Sequence, residues 1–390
     1  MLDNTSIDPS NWYHQMREEN PIYYDPDFTF FFGAKGAWHI FRHEDVRAVA
    51  NDPETFSNEY MTRSTENLFS IGLAGSDPPH HKTLRTFGNH FFSPSAISNT
   101  KEWMYDLCEE MLRPWLQHGK MDFITDFAAI MPTIVIAKLL GISTEYHEQV
   151  VKWVDTFVGD PAIIGIEAHS KANQEMRAFL LEQVEERRKA PGSDFITGLL
   201  QAEVDGEKLS ETDLLAYYFI VLIGGSETIV NLLGNAMFTF TEIPELQAHL
   251  IRYPEDIPKA INEVLRYRSP AASIPRRAKR DILFQGHQIK EGDMVNLSLG
   301  AANRDPSVFS DPDTFDINRD NSRILSFGHG IHYCMGAAMA KLEARIFFEV
   351  IFKYLREIHL QPGAALSRKP SGLVYGLKSL PIRFHTHEAL

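Results

Sequence analysis

A single cysteine in a glycine-rich segment is the residue of this chain best placed to do chemistry. Cys334 lies in FGHGIHYCMG, residues 327–336, and an alanine-rich segment that favours a helix follows it. The glycines let the backbone fold tightly, so that N–H groups can turn toward the sulfur and stabilise it as a thiolate at a helix N-terminus. Such a thiolate suits a haem iron, to which it donates electron density. An ordinary buried thiol before a helix is the alternative interpretation.

Two adjacent glycines lie inside an apolar segment that is predicted to form a long helix over residues 213–240. They belong to IGGSET, residues 223–228, and each costs about 1 kcal/mol relative to alanine within a helix. Close approach of a flat ligand, or a kink, would account for them. A helix-packing groove is the alternative. Glu227 and Thr228, which follow, form an acid–alcohol pair that can relay a proton.

The cysteine segment resembles the signature of the cytochrome P450 family, Phe-Gly-x-Gly-x-His-x-Cys-x-Gly, at all six of its fixed positions. The resemblance implies that Cys334 is the axial ligand of the iron of haem b. It also implies that Phe327, Gly336 and Gly224 contact this cofactor.

The segment 224–229 resembles the distal-helix motif of the same family, Ala/Gly-Gly-x-Asp/Glu-Thr-Thr. The resemblance implies that Thr228 orders water in the oxygen pocket and that Glu227 relays protons toward it. Two positions depart from the motif, because Ile229 replaces its second threonine and Ser226 its usual His or Asn. We expect these departures to keep the relay and to alter the order of its water.

Cationic and hydrogen-bonding residues occur in the order that the family uses for the haem propionates. DPPHHKTLR, residues 77–85, resembles Asp-Pro-Pro-x-His-x-x-x-Arg and places His81 and Arg85 on one helical face. Arg276 matches a second motif, Arg-x-Ala-x-x-Asp, and His332 lies in the cysteine segment. Each residue alone would be interpreted as a surface residue, but the resemblance implies that all four bind propionate.

A further pair of charged residues has a structural interpretation. Glu263 and Arg266 are three residues apart and share a helix face, which on its own indicates a solvated surface pair. The resemblance to the Glu-x-x-Arg motif of the family implies instead a core network with Arg319, held by charge-assisted hydrogen bonds. Ile324 stands where many soluble members have a histidine that braces the loop, so this hydrogen bond is absent or replaced by Arg323.

The elements that must position these residues are mainly helices. Helical periodicity predicts helices over residues 80–92, 107–115, 123–140, 143–158, 167–189, 213–240, 243–253, 257–267 and from 334 to about 355. Strands are predicted within 21–42, 274–297 and near 358–360 and 380–384, and residues 303–326 form a long loop, which usually carries function. The fold class is mainly α with small segregated β-sheets. It matches the cytochrome P450 fold, in which haem lies between the distal helix and the cysteine loop, as one domain over residues 1–390.

Composition narrows the classes of function. The net charge of 38 − 52 = −14 disfavours nucleic acid and anionic membranes as partners. Cys108 and Cys334 are the only cysteines, which excludes a disulfide framework and a Cys-rich zinc site, and Cys108 is predicted to be a packing residue. The N-terminus does not resemble a signal peptide, and the longest apolar run, 214–223, is too short to cross a membrane. We therefore expect a cytoplasmic protein.

The resemblance implies a monomeric haem-thiolate monooxygenase that uses O2. Since no flavin or iron–sulfur motif is present, its electrons are expected from a ferredoxin or flavodoxin with its reductase, docked near Lys82 and Lys341. Two alternatives remain open. One is an enzyme of the same fold that uses peroxide, although such relatives usually lack the acid–alcohol pair. The other is a non-catalytic haem-thiolate sensor or carrier.

Family topology implies a substrate pocket drawn from the loop before Asp77, the area 157–164, the distal helix, the segment after Tyr267 and the turn near Ser371. In these regions the side chains expected to line the pocket are Leu68, Phe69, Ile220, Gly224, Ala272, Ile274, Leu373 and Val374. None of them can anchor a charge, so the expected substrate is an apolar terpenoid, steroid or fatty-acid-like molecule. Arg63 could still fold inward and hold an acid.

Overall fold

The computed structural model describes residues 6–30, 33–64, 67–89, 91–158 and 165–386, and helices are its dominant elements. The α-helices are α1 (Ser10–Glu19), α2 (His43–Ala50), α3 (Leu68–Ile71), α4 (His80–Asn89), α5 (Pro94–Ser98), α6 (Lys101–Leu112), α7 (Met131–Leu140), α8 (His147–Val158), α9 (Ile166–Lys189), α10 (Phe195–Gln201), α11 (Glu211–Glu242), α12 (Pro244–Arg252), α13 (Ile257–Tyr267), α14 (Leu299–Ala302) and α15 (Ala337–Tyr354).

The strands are short and form small sheets. They are β1 (Ile22–Thr29), β2 (Lys35–Ile40), β3 (Phe56–Ser57), β4 (Lys120–Asp122), β5 (Ser273–Ala278), β6 (Ile282–Phe284), β7 (His287–Ile289), β8 (Met294–Ser298), β9 (Leu355–Leu360) and β10 (Pro381–Thr386). One sheet has the order β1-β2-β8-β5-β3, in which only β2 and β8 are parallel. The others are β4-β10-β9 and the hairpin β6-β7, both antiparallel. The fold is therefore mainly α with small segregated sheets, which confirms the prediction.

The helix α11 is the central element of the fold. Its first turn is capped by Ser210, whose hydroxyl oxygen accepts the backbone N–H of Asp213. The acidic side chains of Glu211 and Asp213 in this turn interact favourably with the positive end of the helix dipole. Its 32 residues extend for about 48 Å at 1.5 Å per residue. Apolar side chains cover most of its surface, so α11 is stabilised mainly by burial.

The two halves of α11 belong to different apolar cores. Residues 214–223 pack with side chains of α7, α8, α9 and α10. Residues 229–240 pack with α6, α13, α15 and the β9–β10 sheet. Fully burying one side chain such as Phe219 or Phe240 contributes roughly 1.5–3 kcal/mol. Residues 224–228, between the halves, belong to neither core, and this is the segment with the two glycines.

Differences from the predicted elements have local causes. Residues 123–140 do not form one helix, because a π-type turn, Phe123–Ala128, precedes α7. Pro132 stands in the first turn of α7, where a missing N–H is harmless, whereas inside a longer helix it would remove a hydrogen bond. Six helices, most of them short, had no prediction: α1, α2, α3, α5, α10 and α14. The predicted loop 303–326 contains neither helix nor strand.

Two stretches have the length and apolarity of a membrane span, Phe123–Leu140 and Glu211–Glu242. In each, 61% of the apolar window is buried inside the protein. Their apolar residues are thus buried in the cores, as in the central helices of globular proteins, which can be as long and as apolar as a membrane span.

Candidate functional site

A cavity of about 420 Å³ lies between the middle of α11 and the segment that contains Cys334. The residues predicted to bind the cofactor all line it: Gly224, Phe327, Gly336, Cys334, His81, Arg85, Arg276 and His332. Thr228 also lines it, whereas Glu227 does not. Residues that are far apart in sequence therefore meet around one space.

The cysteine segment folds as a tight loop before α15. Gly328 and Gly330 have φ angles of +72° and +70°, in the left-handed region that favours glycine. A Cβ on Gly330 would also lie 2.9 Å from the carbonyl oxygen of Ala50. The loop is closed by a hydrogen bond of 2.8 Å from the Cys334 N–H to the Phe327 carbonyl. The glycines thus set the position from which the sulfur faces the cavity.

The Cys334 thiol is accessible from the cavity, although protein atoms surround it on its other sides. Burial raises the pKa of this thiol, while a hydrogen bond from the Gly336 N–H and the charge of Arg85 act to lower it. Cys108 differs, because it is fully buried in α6 and burial raises its pKa without any such donor. Cys108 is therefore a packing residue, as predicted, and Cys334 has the N–H donor that a thiolate ligand needs.

Four nitrogen-bearing side chains gather at one end of the cavity. The rings of His81 and His332 lie 4.1 Å apart between centroids. The Nε2 atoms of both rings and Nη2 of Arg276 are buried without a hydrogen-bond partner among the described residues. Arg85 donates from Nη1 to the carbonyl oxygen of Tyr333 at 2.6 Å.

Burial lowers the pKa of His81 to about 4 and that of Arg276 to about 10. Burial also lowers the pKa of His332, and the neighbouring His81, Arg276 and Arg85 lower it further. Buried donors of this kind are stabilised by an anion, so this end of the cavity has the chemistry of a carboxylate site.

The two glycines of α11 differ in their surroundings. A Cβ on Gly225 would lie 2.6 Å from Cδ1 of Ile136 on α7, so this glycine permits helix packing. A Cβ on Gly224 would approach only Ile220 Cδ1, at 4.0 Å, and would otherwise project into open space along the cavity. The packing groove and the ligand approach that the sequence left as alternatives therefore apply to one glycine each.

The predicted proton-relay pair is divided between two environments. The Thr228 hydroxyl faces the cavity and donates to the Gly224 carbonyl at 2.9 Å. The Glu227 carboxylate lies 3.3 Å from Nζ of Lys369, which belongs to the segment between β9 and β10. Ser226 is buried and donates to the Leu222 carbonyl, and Ile229 lines the cavity. The structure thus brings the alcohol, but not the acid, to the cavity wall.

The residues present fit a haem. A largely apolar space is lined by both Gly224 and the thiol of Cys334, and the four residues of the carboxylate site line it too. Within the described residues, no group of three or more His, Cys, Asp and Glu side chains could hold a metal ion by itself. Cys334 would hold the iron through its sulfur, and His81, Arg85, Arg276 and His332 would hold the propionates.

Behind the cysteine loop, Glu263 and Arg266 form a fully buried ion pair. Arg266 donates from Nη2 and Nε to the two carboxylate oxygens at 2.7 and 2.9 Å, and neither side chain is exposed. Arg319 Nε lies 3.2 Å from Glu263 Oε1, and the amide of Asn321 and the backbone N–H of Asp316 also donate to Glu263. The three residues that the resemblance grouped together therefore do form one network, in the core rather than at the surface.

The loop before the cysteine is braced by residues that the sequence did not single out. Asn303 accepts the Leu325 N–H at 2.7 Å and donates to the Ser326 hydroxyl at 2.8 Å. Ile324, at the position of the missing histidine, packs against the core. Arg323 bonds Glu44 on α2 at 2.7 Å, so it ties this loop to α2 at the surface.

Of the residues predicted to line a substrate pocket, Phe69, Ile220, Gly224 and Ile274 line the cavity. Leu68, Ala272, Leu373 and Val374 are not among the residues that line it. Leu68 is only 1% exposed, within the core, and the Ala272 N–H donates to the Leu373 carbonyl. The area 157–164 lies outside the residues whose side chains the structure describes.

The cavity also has polar groups that the sequence prediction omitted. Asn58 and Tyr60 line it, and Oδ1 of Asn58 is buried without a partner among the described residues. Glu343, on α15, lines it too and is 1% exposed. Arg63 pairs with Glu59 at 2.6 Å and does not line the cavity. The sequence did contain a signal for Glu343, because this residue lies about two helical turns after Gly336 and therefore falls on the same helix face.

Comparisons with known proteins agree with this geometry. The family model for cytochrome P450 matches residues 6–252 and 257–384. The polyketide biosynthesis cytochrome P450 PksS of Bacillus subtilis (strain 168) is 33% identical over 382 residues, which cover 94% of each chain. The structure of CYP109Q5 from Chondromyces apiculatus superposes with a TM-score of 0.89 at 32% identity and covers 98% of this chain and 96% of that one.

The structure of CYP109E1 from Bacillus megaterium in complex with testosterone is similar as well. It superposes with a TM-score of 0.87 at 32% identity and covers 97% of this chain and 98% of that one. The family model spans nearly the whole chain, and the residues that the family uses around its haem surround one cavity here. This chain therefore belongs to the cytochrome P450 family, whose members are haem-binding monooxygenases.

Proposed function

We propose that this monooxygenase hydroxylates a mostly apolar small molecule of terpenoid, steroid or fatty-acid-like size. The observation that carries the proposal is the cavity itself, where Phe69, Ile220, Ile274 and other apolar side chains line the same space as Thr228 and Cys334. Apolar burial contributes roughly 25 cal/mol per Å² to the affinity of such a ligand. Two compared proteins, named for polyketide biosynthesis and solved with testosterone, support this class of substrate.

In this proposal the chain holds haem b through Cys334, and the bound haem supplies the activation of dioxygen. The four-residue cluster of His81, Arg85, Arg276 and His332 fixes its orientation through the propionates. Apolar walls exclude water from the substrate side. Thr228 holds a proton donor at the cavity wall, and Glu227 exchanges protons with solvent, since both it and Lys369 are partly exposed at 15% and 27%.

The electrons are proposed to come from a ferredoxin or flavodoxin with its reductase, which would dock beside the cysteine loop. Ile331 and Tyr333 in this loop are 38% and 41% exposed. Lys82, nearby in sequence to Arg85 on α4, is exposed and supports docking of an acidic partner. Lys341 supports it less, because it is half-buried over the Phe327 ring and burial lowers its pKa. In this proposal the protein acts as a cytoplasmic monomer.

The proposal is tested on purified, haem-loaded protein. A neutral steroid and a neutral terpenoid are titrated against charged compounds of matched size, with the spin state of the haem as the readout. The neutral compounds should shift the spin state, and a response confined to strongly charged compounds would contradict the proposed substrate class. Hydroxylated product should then form with a surrogate ferredoxin, its reductase and NADPH.

The proton-delivery role is tested separately with Thr228→Ala. This variant should bind substrate and consume NADPH as before but divert much of the reductant to hydrogen peroxide, because a general-acid relay contributes roughly 10²–10⁴ in rate. Glu227→Gln should behave similarly. If Thr228→Ala converts all its reductant into product, the role proposed for Thr228 is wrong.

A further inference from the structure

A buried asparagine on α11 has an amide that no described residue satisfies. Asn231 is 2% exposed, and neither its Nδ2 nor its Oδ1 has a hydrogen-bond partner among the described residues. Leaving both atoms of a buried amide unpaired is costly. Buried polar groups in this situation usually bind an ordered water molecule, which needs two or more polar partners.

The helix geometry places this amide between the two residues of the proposed proton relay. Each residue of an α-helix advances by about 100° and 1.5 Å, and α11 is continuous through this region. Around the helix axis, Asn231 therefore lies about 40° from Glu227 and about 60° from Thr228, on the arc between them. Its backbone position is displaced along the axis by about 6 Å and 4.5 Å respectively, so the three side chains start from adjacent turns of the helix.

The neighbouring chain segment brings the same groups together. Gly376 leaves room for the amide, because a Cβ there would lie 2.1 Å from Asn231 Oδ1. The N–H of Lys369 donates to the carbonyl oxygen of Gly376 at 2.9 Å, and the ammonium of Lys369 pairs with Glu227. The seam between α11 and segment 368–376 is thus partly exposed at Glu227 and buried at Asn231.

We propose that Asn231 holds a water molecule that connects the Glu227 carboxyl group to the Thr228 hydroxyl. The water accepts a proton from Glu227 while it gives one toward Thr228, so it is unchanged after each transfer, and Glu227 regains its proton from solvent. The amide is a positioning residue, which donates from Nδ2 and accepts at Oδ1 without being protonated itself. This inference rests on the proton-delivery roles proposed for Glu227 and Thr228.

The next asparagine on the same face provides a matched control. Asn235 lies one turn further along α11, and its Nδ2 donates to the carbonyl oxygens of Arg268 and Tyr375, each at 3.0 Å. This amide links α11 to the backbone at residues 268 and 375. Oδ1 of Asn235, like both amide atoms of Asn231, has no partner among the described residues, but only Asn235 is bonded to the protein through its Nδ2. Their replacement should therefore affect different properties.

Asn231→Leu and Asn235→Leu are compared with the wild-type holoenzyme in the surrogate ferredoxin system. Asn231→Leu should keep the melting temperature, the haem content and the substrate-induced spin shift, and raise the ratio of peroxide to product about tenfold. It should also enlarge the solvent deuterium isotope effect on product formation. Asn235→Leu should lower the melting temperature and leave the peroxide ratio unchanged. A crystal structure of the wild type should show a water about 3 Å from the Asn231 amide.

The outcomes separate this inference from the function on which it rests. If Thr228→Ala raises the peroxide ratio and Asn231→Leu does not, or if the wild-type crystal shows no water at the amide, the role of Asn231 is refuted and the relay stands. If neither variant raises the ratio, the relay and this inference both fail. Should Asn231→Leu not load haem, Asn231→Val is measured in the same way, and wild-type coupling in that variant refutes the inference.

Discussion

The network around Glu263 and the middle of α11 both contain buried polar side chains, but their hydrogen bonding differs. Glu263 accepts five hydrogen bonds from Arg266, Arg319, Asn321 and the Asp316 backbone. Along α11, by contrast, Asn231 has no partner for either amide atom among the described residues. Fully paired polar groups hold a structure in one arrangement, whereas unpaired buried groups need a ligand or water. The Glu263 network is therefore expected to support the fold, and the Asn231 amide is expected to bind a water molecule.

The largest effect is expected from replacing Cys334, whose sulfur faces the cavity from the glycine-rich loop. Cys334→Ala removes the only thiolate that can reach the iron, so the reduced, carbon-monoxide-bound protein should lose the red-shifted Soret band of thiolate ligation, together with all monooxygenase activity. Cys108→Ala is the matched control, because Cys108 is fully buried in the core and outside the cavity. An unchanged band in Cys334→Ala would refute the assignment.

The Glu263 network should respond with loss of stability. Removing one partner of a buried pair costs about 3–5 kcal/mol, because the remaining charge is left unpaired. Glu263→Ala leaves Arg266 buried, with an exposed fraction of 0%, so it should yield little haem-loaded protein and unfold at a much lower urea concentration. Wild-type stability and full haem content in this variant would show that the network is not structural.

Sequence reasoning succeeded where a motif specifies both residue types and spacing. The cysteine loop, the cluster of His81, Arg85, Arg276 and His332, and the Glu263–Arg266 pair all depend on such motifs, and the structure brings their residues together. Apolar periodicity predicted most of the longer helices, and α13 begins and ends at the predicted residues, whereas α6 begins at Lys101 and the predicted helix 123–140 is divided. The tertiary contacts of Glu227 could not be predicted, because Lys369 lies 142 residues away in a segment without regular structure.

The pocket residues were the least predictable part of the site. Leu373 and Val374 do not line the cavity, although Val374 pairs through its backbone with Ala271, which does. Leu373 packs instead against a separate apolar cluster that contains Phe28 and Phe30. Asn58 and Tyr60 were missed because nothing in their local sequence shows that β3 pairs with β5, the strand that carries Arg276. Long-range strand pairing decides which loop residues face a ligand.

Glu343 provides an intermediate case, a buried acid without the donors that Glu263 has. Burial raises its pKa from 4.5 to about 8. Between these two values the folded protein keeps a proton that the unfolded chain has lost, so stability should fall as pH rises through this range and level off above it. The total fall is at most about 5 kcal/mol.

Glu343→Gln should remove this pH dependence. Urea unfolding of the variant and the wild type is compared at about pH 5 and about pH 8. The stability of the variant relative to the wild type should be greater at the higher pH. A difference between the two proteins that is the same at both pH values would contradict a raised pKa for Glu343.

The smallest effect is expected at the surface pair that ties the loop to α2. Arg323 donates to Glu44 at 2.7 Å, but their side chains are 48% and 60% exposed. Exposed pairs contribute about 0.2–1 kcal/mol, and added salt weakens them further. Glu44 also pairs with Arg47 at 3.5 Å, and this pair is exposed too. Glu44→Ala should therefore lower the free energy of unfolding by no more than about 0.2–1 kcal/mol for each pair, with less effect at high salt and no loss of haem. Glu44 and Glu263 both pair with arginines near the cysteine loop, but only Glu263 is buried. A large loss of stability in Glu44→Ala would therefore mean that burial does not explain the different contributions of the two pairs.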